Sequence, residues 1–445
     1  MTPRLKLLRA DLILPAFLAL LGAYFADPSI AIAQSNTTRT RIHVPDDAPD
    51  PALVAARSAL DHKDYAQAVK SYKEYLAKKP ADADAHFDLG NAYAGLSQSA
   101  EAKVEYEKAI SLDPKLDVAY VNLGIMLMET DASAAITPFQ KAAELLPNEA
   151  RPRFLLGWAY ERSGNLPLAI EQYRAAVKLD DKSSDIHFAL GRALLSSSQT
   201  ADAEVEFRAA LASDSGNDQA HLGLSQCLMA DKKYEEAASE LGKYLEAQPN
   251  DSEARVSRAL AFARQDKNDE ALAELDSAGS AGPEPLSALK LRSQILFQMK
   301  RYDDAIPVLQ RAEALAPNDP DIPARLGHLY LEKRAYADAG RELLVAFKMN
   351  PKSNDVLGEL VAAEYLGKNY EPALKALDLL SQREELPAGT VFIRATCYDK
   401  LGQAAAALDS YQKFLQLNKD QNNDMYFAAT ERARFLAREL KEKKK

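Results

Sequence analysis

Two cysteines, six histidines and several adjacent acid pairs are the residues of this 445-residue chain that could carry a reaction or hold a metal. A thiol, imidazole or carboxylate does either only beside the right partners. Neither Cys227 nor Cys397 belongs to a C-x-x-C, and no H-E-x-x-H, G-x-S-x-G, phosphate loop or Rossmann glycine pattern occurs. Pairs such as Glu235-Glu236 and Asp303-Asp304 precede helical stretches, where a carboxylate suits the helix N-terminal dipole. No catalytic, cofactor or metal-ligating residue is assigned, and the chain reads as a non-enzyme.

Spacing says more than chemistry. His86 opens HFDLGNAY and His187 opens HFALGRAL, 101 residues later and with five letters shared. That interval is three units of 34 less one residue. An alanine recurs at Ala68, Ala102, Ala135, Ala169, Ala203, Ala237, Ala271, Ala305, Ala339, Ala373 and Ala407, with every step 34 except one of 33. The short step places the lost residue in METDASAA (128–135). Four residues after each alanine stands a large apolar side chain, among them Tyr72, Tyr106, Phe139, Tyr173, Phe207, Leu241 and Tyr411. A proline follows at twelve in seven units, and Gly90, Gly124, Gly157, Gly191 and Gly327 form a column upstream.

Each column has a physical reason. Alanine and glycine mark close helix–helix approaches, the large residue fills the space beside them, and proline ends each unit. Apolar residues three and four apart, as in AEAKVEYEKAISL, read as amphipathic helix. Two helices and a turn fill one unit and strand signals are absent, so the expected fold is all-α.

In these columns the chain resembles the tetratricopeptide repeat (TPR) family, whose signature Leu89, Gly90, Tyr93, Ala102, Tyr106, Ala109 and Pro114 match within one unit. His86 departs from it at the first aromatic place. The resemblance covers roughly eleven units between 49 and 421. It implies an α-α superhelix, or solenoid, of eleven hairpins whose first helices line a concave groove that binds proteins or peptides; it implies no reaction. His86, His187 and His221 share the aromatic's place and read as packing residues. Cys227 and Cys397, in units too distant to pair, read as buried, inert thiols.

On that frame, the partner-binding groove is expected at Val121, Ile125, Met128, Phe154, Trp158, Phe188, Leu195, Leu222 and Met229, with polar contacts from Asn91, Asn122, Arg151 and Arg192. An exposed apolar row marks a binding surface; packing between adjacent first helices is the alternative. Later units offer a more polar set, including Lys290, Gln294, His328 and Asp399. The carboxylate clamp of chaperone-binding relatives is not expected. Asn91 and Asn122 match it and Arg151 could stand for one lysine, but Phe87 and Leu155 replace two of its cations.

Fifty-five basic against 65 acidic residues give a net charge of −10, which argues against a nucleic-acid partner. Arg4, Lys6 and Arg9 precede the apolar LILPAFLALLGAYF (12–25), and Ala31-Ile32-Ala33 offers a cleavage site. This is the order of a secretory signal peptide, too short for a comfortable membrane span. The expected organisation is a signal peptide (1–33) and a flexible leader (34–48), then repeats one to seven (49–283) and eight to eleven (284–421). A capping helix with a basic tail (422–445) closes the chain. SAGSAGPEP (277–285) is either a hinge or a longer turn. The expected product is periplasmic or secreted, bacterial in style, with no membrane span after cleavage. It acts either as an adaptor holding a partner segment or as a spacer or self-assembling part of an envelope complex.

Overall fold

A computed structural model describes residues 50–280, 282–418 and 424–442, and all regular structure among them is α-helix. The expected signal peptide and flexible leader lie outside the described residues, as do Lys443–Lys445 of the basic tail. The chain divides into two compact units, the first ending at Lys232 and the second beginning at Lys233.

The first unit holds five helical hairpins: Pro51–Asp61 with Tyr65–Lys78, Ala83–Gly95 with Ser99–Leu112, Asp117–Met128 with Ala132–Leu145, Ala150–Arg162 with Leu166–Leu179, and Ser184–Ser196 with Thr200–Ser213. It closes with the first helix of repeat 6, Asp218–Ala230. The second unit begins with Tyr234–Ala247, that repeat's second helix. Five further hairpins follow: Ser252–Ala263 with Asn268–Ser280, Leu286–Gln298 with Tyr302–Leu315, Asp321–Glu332 with Tyr336–Met349, Asn354–Leu366 with Tyr370–Ser381, and Ala388–Lys400 with Ala404–Leu417. The helix Asp424–Glu442 ends it. Eleven repeats and one terminal helix are the expected inventory.

Every alanine of the 34-residue column is fully buried, and the large residue four places on is at most 4% exposed throughout. The glycine column has a sharper cause than a general close approach. A Cβ on Gly124 would lie 2.5 Å from the Phe139 ring, and one on Gly157 would lie 2.7 Å from Tyr173. The second helix's aromatic lies flat on the first helix's bare backbone. Each such side chain taken fully out of water contributes roughly 1.5–3 kcal/mol.

Side-chain caps start many of the helices: Asp82 accepts from the Ala85 amide and Ser183 from Ile186. In ten of the eleven repeats one residue between the two helices lies in the left-handed region. Glycine occupies that place only at Gly164 and Gly402; elsewhere it is Lys63, Ser97, Ser198, Lys232, Asp266, Lys300, Arg334 or Lys368, with φ of 58–63°. The exception is repeat 3, whose turn holds the missing residue.

Within the second unit, the described part of the glycine- and serine-rich segment at 277–285 is tied by charge. Glu284 receives Arg292 at 2.9 Å and Arg311 at 3.0 Å, while Arg292 also reaches Asp276 at 2.6 Å. On the last helix, Ala429, Ala433 and Leu436 pack against Tyr411 and Phe414, and Arg432 holds Asp399 with two hydrogen bonds.

Candidate functional site

The residues named for the groove do not form one exposed row. Val121 is 8% exposed, Met128 4% and Phe154 9%, so these three belong to the packed interior. Ile125, Trp158, Phe188, Leu195, Leu222 and Met229 are half-buried. The period that places a residue on the first helix's inner face says nothing of how far neighbouring helices close over it. Phe154 illustrates the point, with its ring 5.8 Å from that of Tyr173.

The polar groove residues have structural employment. Asn122 donates to Asn91 at 2.7 Å, and Asn91 accepts from the Tyr106 hydroxyl at 2.8 Å. Arg192 donates to Glu161 at 2.8 Å, and Glu161 accepts from the Tyr173 hydroxyl at 2.7 Å. Both chains of bonds cross from one repeat's first helix to the next. Burial pushes the Tyr106 and Tyr173 hydroxyls far above the usual phenol range, so both stay protonated donors. Arg151, by contrast, is exposed.

Trp158 and Phe188 come together with Phe154, Tyr173 and Ala189 around a cleft of about 320 Å³ in repeats 4 and 5. Arg192 and Asp185 line it, as do Asp214, Gly216 and Asn217 of the turn that leads into repeat 6 and Asp218 and Gln219 at the start of its first helix. This turn is built stiffly. Asp214 accepts from the Gly216 amide at 2.9 Å, Asn217 caps its helix through Ala220, and the Asn217 amide donates to Ser184 at 3.0 Å. Sequence reading missed the turn because it lies outside the helix positions that periodicity selects.

The histidine column is not simple packing. His86 Nδ1 lies 2.6 Å from Glu105 and its Nε2 3.1 Å from the Pro80 carbonyl. His187 repeats this with Glu206 at 2.6 Å and the Asp181 carbonyl at 3.1 Å, and His221 reaches the Ser215 carbonyl at 3.2 Å. Each of the first two rings is thus held between a carboxylate of its own hairpin and a backbone carbonyl six residues earlier. Arg255 holds the same place in repeat 7, donating to Glu274 and the Pro249 carbonyl. The signal was present in the sequence, since Glu105, Glu206 and Glu274 follow the histidine or arginine at a constant nineteen residues.

His328, in the second unit, is half-buried. It faces Glu359 at 3.0 Å and the Phe297 ring at 5.0 Å, and the Glu359 carboxylate raises its pKa. Lys290 is paired with Asp319 at 2.5 Å. Cys227 and Cys397 are both buried and outside any disulfide, and burial pushes the Cys397 thiol up to about 12. Among the described residues no helix is long and apolar enough to cross a membrane.

Family models described as tetratricopeptide repeat match residues 53–116 and 130–184, 194–261 and 296–346, and 391–420. Together they take in more than half of the chain. A model described as anaphase-promoting complex, cyclosome, subunit 3 matches 231–312. Among curated proteins, anaphase-promoting complex subunit 3 of Schizosaccharomyces pombe is 27% identical over 136 residues, which are 30% of this chain and 20% of that protein's length. The solved structure of YrrB, titled a TPR protein with an unusual peptide-binding site, is 21% identical. It covers 42% of this chain and 96% of its own, at a TM-score of 0.38. The Cut9-Hcn1 hetero-tetramer of the APC/C is 16% identical over 86% of this chain and 95% of that one, at 0.34. Both superpositions stay below 0.5, so the assignment rests on the repeat models and on the helices themselves.

Proposed function

The chain belongs to the tetratricopeptide repeat family, and from that premise we propose that it is a non-enzymatic adaptor of the cell envelope. In this reading it holds a segment of a protein partner against the first helices of repeats 4 and 5. The observation that carries the reading is the cleft itself: Trp158 and Phe188 from successive repeats, each half-buried, beside a turn fixed by its own hydrogen bonds. A tryptophan lining a cleft is a frequent anchor of protein recognition. Export is part of the proposal and rests on the basic start, the apolar 12–25 and Ala31-Ile32-Ala33.

The test is cross-linked capture from envelope extract, comparing wild type with Trp158→Asp/Phe188→Asp. Circular dichroism checks that both are folded. Both positions are half-buried, so the substitutions disturb the cleft more than the core; Met128, fully packed, is unsuited to such a test. A partner lost with the double variant supports the cleft, and equal capture by both proteins overturns it. N-terminal sequencing of exported material checks for a start at Gln34.

A second reading, a spacer or self-assembling envelope component, draws on Phe427 and Phe435, which are 69% and 53% exposed on the terminal helix. It predicts oligomers that persist in the cleft variant and dissociate on Phe427→Ser/Phe435→Ser.

A further inference from the structure

We propose that the cleft of repeats 4 and 5 takes a cationic side chain, an arginine or lysine of the partner segment, between its aromatic floor and an acidic rim. This rests on the adaptor reading above and names the chemistry that the site selects.

Three carboxylates line the cleft, Asp185, Asp214 and Asp218, and Asp185 and Asp214 are exposed. Against them stands one cation among the lining residues, Arg192. It is already committed: its guanidinium donates to Glu161 at 2.8 Å, and both side chains are more than four-fifths buried. An anionic ligand would have to compete with Glu161 for that arginine while facing the aspartates.

The floor has the matching property. Ring faces of tryptophan and phenylalanine carry negative potential and attract a guanidinium or ammonium group, most strongly where water is partly excluded. Phe188 already has the guanidinium of Arg192 6.0 Å from its ring centre, and Trp158 stands in the same cleft. A carboxylate beside an aromatic face gives an arriving guanidinium both a charge-assisted hydrogen bond and a surface to stack on. The chain's net charge of −10 draws basic segments and repels acidic ones at long range. The preference is the reverse of a carboxylate clamp.

Trp158 is the chain's only tryptophan, so its emission reports the site directly. The probes are N-acetyl-arginine amide, its neutral isostere N-acetyl-citrulline amide, and N-acetyl-glutamate amide. Each is titrated at millimolar concentration against wild type and Asp185→Asn/Asp214→Asn, with circular dichroism as the folding control. The expected result is a saturable change with the arginine amide that is at least about tenfold weaker with citrulline, absent with glutamate, weakened by salt and lost in the double variant. Equal binding of arginine and citrulline amides, or preference for glutamate, overturns the cationic assignment and leaves the cleft standing as a docking site. No change with any of the three also overturns it. The adaptor reading itself fails separately, through equal capture by the Trp158→Asp/Phe188→Asp protein.

Discussion

Tyr72, on the second helix of repeat 1, donates its hydroxyl to Asp88 on the first helix of repeat 2 across 2.9 Å. Tyr72 is fully buried, and desolvation pushes the Asp88 carboxyl up to about 6. A carboxyl whose folded pKa lies above its unfolded value of 3.8 is harder to ionise in the fold. Stability is therefore lost as pH rises from about 4 through 6, and is level above that. Allowing for partial solvent access, the loss is about 2 kcal/mol. Asp88→Asn keeps an acceptor for Tyr72 and removes the ionisation. Urea titration at pH 4 and pH 8 should show that variant stabilised at pH 8 relative to wild type and little changed at pH 4. An unchanged difference between the two pH values would sink the assignment.

His187 offers a choice between packing and pairing. If the ring only fills space, His187→Phe, which restores the family's aromatic, should be neutral. If it pairs with Glu206, phenylalanine strands that carboxylate and costs about 2 kcal/mol. His187→Arg should then be tolerated, as Arg255 and Glu274 already show for repeat 7. Thermal melts of the two variants decide between these outcomes.

Lys300 turns the hairpin of repeat 8 at φ 59°. A side chain in the left-handed region pays a steric cost that glycine avoids, partly offset by glycine's greater freedom in the unfolded chain. Lys300→Gly is expected to stabilise by roughly 0.5–1 kcal/mol, read as a higher midpoint in urea. A lower midpoint would mean that the lysine side chain has contacts beyond its turn.

Leu436 is 1% exposed where the terminal helix covers repeat 11. Leu436→Ala should cost about 3 kcal/mol, and Arg432→Ala should cost less, because Arg432 is itself 43% exposed in its pair with Asp399. In a repeat array stability is local. Hydrogen exchange should therefore speed up in Ala404–Leu417 and Asp424–Glu442 while Pro51–Asp61 stays unchanged. Uniform acceleration across the chain would contradict a local cap.

Much of this protein was legible before any coordinates. A residue type that returns every 34 positions reports a repeated local environment, and only a fully closed helix contact selects alanine eleven times. All-α content, hairpin count, the short third repeat and the buried cysteines follow from that register. The partner of the histidine column was legible too, as a glutamate nineteen residues on, though a single column gives no cause to look for a second. What periodicity cannot carry is the depth to which neighbours close over a position. Phe154 and Trp158 lie four residues apart on one helix face, yet Phe154 is buried against Tyr173 and Trp158 stays open to the cleft. Nor does the sequence bring Asp214, in a turn between helices, to Trp158, 56 positions earlier. That meeting belongs to the stacking of repeats 4, 5 and 6. The offset between successive hairpins is a property of backbone packing and of turn hydrogen bonds such as Asn217 to Ser184, and only the tertiary structure decides it.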